Sequence, residues 1–444
     1  MTHPAPQSGS FIIDSPVFTP ETGEAIFSYR CGSYHFQEKL EFGIPSEPLS
    51  AARLKIIECA LRFAAVAAGI SYFKAFMSPH IETEDMDETT SLFFEKFYRK
   101  GLGEFITRNK LKFSDHDYFK PARTSSPIPS SVALTSQALV LIGGGKDSLV
   151  TIEALQQQKH VFTLFAVNPA PPILDCIQLS GLPAHLFKRH IDPQLFTLND
   201  QGAPNGHVPV TGIISFLAIV TALIHDFDTI ILSNERSADE PTFEDVNHQY
   251  SKSFEFETDM QNLIRQVISP SISYFSFLRP LSELHITQLF AKEKKYDSVF
   301  TSCNKAYSLR QPLRDKKWCG ECPKCQFVFL SLATTLAPAR VMPIFGSSLL
   351  DDPENLTAYR HLTGLAGHKP WECVGEILES ASALYTLSLN PDWAQMTVVK
   401  TLAPELIAFY GETQLQKAYK DALSPALRHA IPERYRKALY DYVQ

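Results

Sequence analysis

A strand that runs into three consecutive glycines and then a helix constrains this chain more than any other feature. Residues 139–142 are apolar and favour a strand, and residues 149–155 have the apolar spacing of an amphipathic helix. The glycines allow a tight turn in which several N–H groups point inward, and the helix dipole adds positive potential. Lysine would supply a mobile cation, aspartate a Mg²⁺ ligand and serine a hydroxyl donor. The predicted anion site consists of Gly143, Gly144, Gly145, Lys146, Asp147 and Ser148.

Two positions exclude the usual phosphate-binding loop, which needs a glycine six residues before the lysine and Ser or Thr after it. Val140 and Asp147 stand there instead. The stretch resembles the S-G-G-x-D-S loop of the PP-loop ATP pyrophosphatases, with Gly143 where that superfamily usually has serine. The resemblance implies that ATP is cleaved between its α- and β-phosphates, leaving AMP on a carboxylate or carbonyl oxygen. It also implies that adenine and ribose sit beside Ala166 and Asn168. A glycine-rich turn can also be simple punctuation.

The pattern after the loop alternates between apolar strands and helices, as in an open sheet with ligands at the carboxyl ends of its strands. The expected strands are residues 139–142, 161–168, 184–192, 229–234 and 297–303, and helices fit at 211–226 and 282–295. Together with the flanks, this predicts an α/β fold: a doubly wound, mostly parallel PP-loop sheet, an N-terminal α+β region and a C-terminal helical region. The predicted domains are residues 1–130, 131–345 and 346–444.

The N-terminal region reads as strands followed by helices. Residues 11–43 alternate polar and apolar side chains and predict a small β-meander. Residues 49–68 carry apolar side chains at helical spacing, with Ser50 as the expected N-cap and Gly69 as the expected C-cap. A Pro- and Ser-rich connection at 120–131 then marks the predicted domain boundary.

Four cysteines form a second chemical signature. Cys303 ends an expected strand, and Cys319, Cys322 and Cys325 follow in a C-x2-C-x2-C pattern. This set is sufficient for a closed, tetrahedral zinc site of the structural type. An iron–sulfur cluster is the main alternative, and unrelated free thiols are a further one.

Composition excludes some classes of function. The chain has 444 residues and a net charge of −7, which argues against a broad nucleic-acid surface. The N-terminus lacks the basic and apolar regions of a signal peptide, and the apolar run at 212–224 is too short to span a bilayer. We therefore expect a soluble, cytoplasmic protein without membrane insertion. The sequence does not indicate the oligomeric state.

Polar segments after the strands supply the candidate catalytic groups. Residues 205–213, 233–242 and 247–253 could face the glycine loop because the carboxyl ends of parallel strands share one edge. Residues 364–375 could line a pocket or begin a helix. Polar loops are often only solvated, so each residue is a hypothesis. The candidates are His207, Glu235, Arg236, His248, Lys252, His368 and Cys373.

Taken together, these motifs and the flanks resemble one family, the UDP-N-acetylmuramoyl-L-alanyl-L-glutamate epimerases of bacterial peptidoglycan synthesis. The resemblance implies an ATP- and Mg²⁺-dependent inversion of the terminal L-Glu of UDP-MurNAc-L-Ala-L-Glu, with release of AMP and pyrophosphate. Adenylation would make the α-proton removable, because the mixed anhydride can delocalise a carbanion that a carboxylate cannot. Cyclisation of the adenylate through the preceding peptide carbonyl would acidify that proton further. The sequence does not identify the base.

Two other functions fit part of the pattern. The loop and the cysteines resemble the 7-cyano-7-deazaguanine synthases, in which ammonia captures the adenylate, although that branch is shorter than this chain. A non-catalytic nucleotide-binding protein with a zinc knuckle is the third possibility.

Overall fold

The computed structural model describes residues 9–122, 131–243, 245–308, 313 and 316–444. Within these residues, ten strands form one sheet in the order β10-β9-β6-β7-β8-β4-β3-β1-β5, with β2 paired to β3. The strands are β1 Phe11–Ile13, β2 Val17–Thr19, β3 Glu24–Cys31, β4 Tyr34–Glu41, β5 Ile81–Glu82, β6 Thr135–Leu141, β7 Phe162–Val167, β8 Ala184–His190, β9 Phe227–Leu232 and β10 Ser273–Ser276.

The sheet is parallel from β10 to β8 and mostly antiparallel beyond. Its two parts join where β4 pairs antiparallel with β8, for example Leu40 with Arg189. The N-terminal meander is confirmed, and it extends the parallel sheet instead of forming a separate one. The predicted connection at 120–131 lies mostly outside the described residues.

One predicted strand is wrong. Residues 297–303 form turns and irregular structure, and the outer parallel strand is Ser273–Ser276 instead. Only four residues long, this strand pairs with β9 through Phe275 opposite Ile231. The stretch at 297–303 follows a short 3₁₀ turn, Lys294–Tyr296, and its Thr301 N–H donates to the carbonyl of Gly144. It therefore braces the glycine loop instead of extending the sheet.

Helices cover both faces of the parallel part, as expected for a doubly wound sheet. They are α1 Ala51–Phe76, α2 Glu88–Gly101, α3 Gly103–Asn109, α4 Lys146–Gln157, α5 Pro171–Ser180, α6 Pro193–Asp200, α7 Val210–His225, α8 Phe254–Leu263, α9 Glu283–Phe290, α10 Pro323–Ala333, α11 Pro338–Phe345, α12 Leu356–Leu362, α13 Ile377–Ser388, α14 Thr397–Tyr410, α15 Glu412–Ala422 and α16 Glu433–Val443. The predicted helical C-terminal region is confirmed.

The two faces of the sheet bury two separate cores because side chains alternate along each strand. On β6, Leu139 packs with the meander, α1 and α7, whereas Ala138 and Val140 pack with α4, α9 and the C-terminal helices. Three layers result, with the sheet in the middle. The carboxyl ends of the parallel strands lie along one edge of the middle layer.

Helix α1 is the longest apolar element of the first core. The Ser50 side chain accepts the Arg53 N–H, which confirms the predicted N-cap. The predicted end at Gly69 is wrong: the helix continues to Phe76, and a Cβ on Gly69 would lie only 3.0 Å from the ring of Tyr29. Glycine is needed there for close packing. By length and composition α1 could span a membrane, but 83% of its apolar window is buried in the fold.

Candidate active site

The glycine loop joins β6 to α4 at the carboxyl edge of the sheet, as predicted. Gly144 has φ +74°, a conformation that favours glycine, and Gly145 is the N-cap of α4. No side chain among the described residues caps this helix, so its first N–H groups remain available to a ligand. Ser148 Oγ donates to the Gly145 carbonyl at 3.0 Å, and Tyr307 Oη lies 3.0 Å from the Gly143 carbonyl. The loop is thus braced from both sides.

Lys146 is the buried cation of this loop. Its Nζ contacts the carboxylates of Asp147 and Glu283, and its side chain is only 2% exposed. Burial alone would lower the pKa of Lys146, but the two carboxylates outweigh it and raise the pKa above the ordinary value. Lys146 therefore stays charged. It brings positive charge to the N-terminus of α4, where an anion would bind.

Glu283, the first residue of α9, is the carboxylate that holds Lys146 in place. Burial would raise the pKa of Glu283, but Lys146 and Lys324 overcome this effect and lower it. Lys324 Nζ lies 3.4 Å from the second oxygen of Glu283. Sequence reasoning missed Glu283 and Lys324. A glutamate after Ser282 at a helix start reads as an ordinary first-turn charge.

A thiol and an amine meet beside this charged group. Lys252 Nζ lies 3.2 Å from Cys373 Sγ, and Lys324 Nζ contacts the carbonyl of Cys373. The charge that Cys373 carries when ionised raises the pKa of Lys252 despite burial, which favours the ammonium form of the lysine. The structure thus brings together two sequence candidates 121 residues apart. Through Lys324 and Glu283, they are linked to Lys146.

Two further carboxyl groups border the pair. Burial, together with the charges of Glu283 and Asp147, raises the pKa of Glu235. Burial and the adjacent Cys373 raise the pKa of Glu372 to about 7. Asn304 donates to the Glu372 carboxylate. These groups and the lysines form a cluster of alternating charge at the sheet edge, which we call the charged cluster: Lys146, Asp147, Glu235, Lys252, Glu283, Lys324, Glu372 and Cys373.

Arg279 positions two segments of this cluster and was also missed by sequence reasoning. Its guanidinium, 1% exposed, pairs with Glu257 at 2.8 Å and donates to the carbonyls of Glu235 and Lys252, each at 2.7 Å. An arginine in a short loop after a strand looks like a surface residue in the sequence. Here it ties together the backbones that carry Glu235 and Lys252.

The three histidine candidates differ in their burial and in the residues that they contact. His248 is buried, burial lowers its pKa to about 4, and its ring lies 6.2 Å from that of Trp371. His207 Nδ1 lies 3.3 Å from a carboxylate oxygen of Glu104, and burial lowers the pKa of His207 to about 4. His368 is exposed and packs edge-on against Phe243. Of the three, His248 is the one next to the 371–373 segment.

The side chains of Arg236 and Asn168 form hydrogen bonds to backbone groups of neighbouring segments. The guanidinium of Arg236 donates to the carbonyls of Asp421 and Ser424 at the end of α15. Asn168 bonds through its amide to both the N–H and the carbonyl of Arg189 and so closes the β7–β8 ladder. Ala166 is buried on β7, beside the strand that leads into the glycine loop.

The four cysteines converge on one another, as predicted. All four Sγ atoms lie within 4.8 Å of one another, with Cys319–Cys325 at 3.6 Å and Cys303–Cys322 at 4.0 Å. A tetrahedral zinc with Zn–S bonds of about 2.3 Å separates its sulfurs by about 3.8 Å. The N–H groups of Glu321 and Cys322 donate to Cys319 Sγ, each at 3.4 Å. The donor set therefore fits a closed metal site.

Gly143 and Gly144 are expected to respond differently to substitution. A Cβ on Gly143 meets nothing within 4 Å, so Gly143→Ser should change the free energy of unfolding by less than about 0.5 kcal/mol. Gly144→Ala should cost about 1–2 kcal/mol because of its positive φ, and its Cβ would lie 3.0 Å from Tyr307 Oη. Denaturant unfolding checks both. Equal losses would mean that the loop conformation is not as described.

Comparison with known families and proteins shows which family the chain belongs to. Residues 3–277 match the family model for the MurL N-terminal domain, and residues 299–417 match the MurL C-terminal domain. Three curated relatives are named UDP-N-acetyl-alpha-D-muramoyl-L-alanyl-L-glutamate epimerase. The protein of Micromonospora sp. is 38% identical over 94% of this chain and 95% of its own length. The protein of Salinispora tropica is 38% identical over 97% of this chain and 95% of its own length. The protein of Xanthomonas oryzae pv. oryzae is 39% identical over 80% of this chain and 81% of its own length. This chain therefore belongs to the MurL family.

Proposed function

We propose that this protein is an epimerase of peptidoglycan precursor synthesis that inverts the terminal L-glutamate of UDP-MurNAc-L-Ala-L-Glu. The names of its relatives support the reaction and the substrate. One structural observation supports an ATP-dependent route: the Lys146–Asp147 loop and the Lys252–Cys373 pair belong to one charged cluster. A group that binds phosphate and a group that can move a proton would then act on the same glutamate of the substrate.

In the first half-reaction, an oxygen of the substrate's glutamate α-carboxylate attacks the α-phosphorus of ATP, and pyrophosphate leaves. The N–H groups at the start of α4 and the ammonium of Lys146 stabilise the charge that develops on the phosphates. Asp147, with one oxygen on Lys146 and a side chain 29% exposed, would hold Mg²⁺, which supplies charge neutralisation to the pyrophosphate. This chemistry is that of a PP-loop enzyme, and we assign the parallel half of the sheet to that superfamily.

In the second half-reaction, the adenylated carboxyl group acidifies the α-proton. We assign its removal to the thiolate of Cys373, with the ammonium of Lys252 at 3.2 Å stabilising the thiolate. Return of a proton to the opposite face gives the D-configuration, and water then cleaves the anhydride to release AMP. We assign that return to Glu372, which borders the pair and whose pKa, raised by burial to about 7, keeps a proton available near neutral pH. His248 is less suited to this return, because its pKa of about 4 leaves the imidazole without an acidic proton near neutral pH.

The four cysteines would hold a zinc ion in a structural role. A closed Cys₄ site leaves no position for substrate, so the metal would stabilise the segment that begins α10 and carries Lys324. We expect one zinc per chain by elemental analysis, and Cys322→Ser should lose the zinc and lower the unfolding temperature. The control variant Cys59→Ser, which changes a cysteine on α1, should keep the zinc. Iron instead of zinc would point to an iron–sulfur cluster.

Incubation with Mg-ATP and UDP-MurNAc-L-Ala-L-Glu tests the function directly. We expect AMP, pyrophosphate and a D-glutamyl product, identified by hydrolysis and chiral chromatography. AMP without D-glutamate would favour an adenylating ligase of the 7-cyano-7-deazaguanine synthase type. D-glutamate without consumption of ATP would contradict the activation step while leaving the epimerase assignment intact. We place the reaction in the cytoplasm, where ATP is present.

A further inference from the structure

Two consecutive residues of the segment before Lys252 carry buried polar atoms that have no hydrogen-bond partner among the described residues. They are both amide atoms of Gln249, and Tyr250 Oη. Gln249 and Tyr250 are each 3% exposed. Leaving such atoms unpaired is costly, so two adjacent residues of this kind require an explanation.

Loose packing does not explain these unpaired atoms. Asn247 accepts the Gln249 N–H at 2.7 Å and donates to the Ala238 carbonyl at 2.8 Å. Arg279 donates to the Lys252 carbonyl at 2.7 Å. The backbone is therefore fixed on both sides of the unpaired side chains.

The position of this segment suggests which groups from outside the chain could pair with these atoms. At one end, His248 packs near Trp371, and at the other, Lys252 contacts Cys373. Between these two residues, Tyr250 lines a cavity of about 510 Å³ between α2, α3 and the 239–253 segment. Two residues span at most about 7 Å of chain, so the backbone that carries Lys252 lies close to a residue of the cavity wall. A substrate with its glutamate at Cys373 would extend past Gln249 toward the cavity.

The chemistry of the cavity fits a sugar nucleotide. Its lining includes the aromatic ring of Phe113, the amide of Asn247 and the carboxylate of Asp245, which suit a base and sugar hydroxyls. Lys100 is paired with Glu255, whereas Arg428 has no ion-pair partner in the described part of the chain. Arg428 packs at 4.4 Å over the Phe254 ring and is the cation free to bind phosphate.

We propose that Gln249 and its neighbours bind the amide groups of the muramoyl-peptide, and that the adjacent cavity takes the sugar nucleotide. A buried glutamine with donor and acceptor both unpaired complements a secondary amide, which also offers one of each. The proposal rests on the proposed function for the identity of the substrate. It predicts that the carrier-linked peptide is bound in preference to free glutamate.

Calorimetric titration with UDP-MurNAc-L-Ala-L-Glu in the absence of ATP tests the proposal. Gln249→Met keeps the length of the side chain but removes both polar atoms, and we expect about a tenfold weaker Kd. Its unfolding temperature should be unchanged or higher, because a buried unpaired amide is removed. Ser91→Ala, which removes a similarly unpaired buried hydroxyl on α2, should leave the Kd unchanged. Unchanged binding by Gln249→Met would overturn the proposal.

A second variant separates the two parts of the subsite. Wild type should bind UDP-MurNAc-L-Ala-L-Glu more tightly than MurNAc-L-Ala-L-Glu, and Arg428→Ala should remove most of that difference. An equal preference in Arg428→Ala and wild type would exclude the cavity as the nucleotide site. Binding without any AMP formation would contradict the proposed ATP-dependent function but not this subsite, so the two failures are distinguishable.

Discussion

Replacing Lys146 with methionine is expected to abolish AMP formation and glutamate inversion together, each by about a thousandfold in kcat. Lys146 carries its charge to the N-terminus of α4, where the phosphates would bind, and methionine fills similar volume without that charge. AMP is measured by chromatography and the product by chiral analysis of released glutamate. Both activities should fall in parallel, because inversion depends on prior activation of the carboxyl group.

The same substitution is expected to cost about 3 kcal/mol of stability, because it leaves the carboxylate of Glu283 buried without its main cation. Burial would then raise the pKa of Glu283 above its unfolded value. A carboxyl group with a raised pKa favours the folded state at low pH, so the variant should lose stability as the pH rises through that pKa.

A double variant separates these two effects. Lys146→Met/Glu283→Gln removes both charges, and we expect it to recover most of the stability but none of the activity. Urea unfolding and the AMP assay give the two readouts on the same preparation. A double variant that turns over at the wild-type rate would show that Lys146 is only a partner of Glu283 and has no role in catalysis.

The loop could be predicted from sequence because its structure is local. A strand, three glycines and a helix start follow one another within about twenty residues, and each has a short-range signal. The cysteine site was predictable for the same reason, since three of its ligands lie within Cys319–Cys325. Helix α7 was found from its continuous apolar character, which its burial between α1 and the sheet explains.

The remaining elements depend on contacts that no short window contains. Residues 297–303 have the apolar, β-branched character of a strand, yet Ser273–Ser276 takes the edge position because it can pair with β9. Glu283 and Lys324 lie 137 and 178 residues from Lys146, and only the folded sheet edge brings them together. The secondary-structure propensity of a short segment does not predict such long-range contacts.

The 364–375 string shows an intermediate case. Sequence reasoning left open whether it lines a pocket or begins a helix. In the structure α13 begins only at Ile377, where Glu376 and Glu379 form a capping box, and the preceding residues run irregularly past the charged cluster. This irregular backbone presents Cys373 to Lys252. The composition of residues 364–375 was enough to make Cys373 a candidate, but the sequence did not identify Lys252 as its partner.

Cys373→Ser is expected to separate activation from inversion. A serine hydroxyl is a far weaker base than a thiolate, so proton abstraction should slow by about 10²–10⁴-fold. AMP and pyrophosphate should still form, because Lys146, Asp147 and the α4 N-terminus are unchanged. The readout is deuterium incorporation at the glutamate Cα in ²H₂O, measured by mass spectrometry beside AMP release. Wild type should incorporate deuterium only when ATP is present.

The control is Cys59→Ser, which changes a partly buried thiol on α1 that contacts the Val267 carbonyl, away from the charged cluster. It should retain both activities, so a general effect of removing a thiol is excluded. Normal deuterium incorporation by Cys373→Ser would show that another group removes the α-proton, and Glu372→Gln would then be the next variant to measure. Loss of AMP formation as well would place Cys373 in the activation step, because the two half-reactions would no longer be separable at this residue.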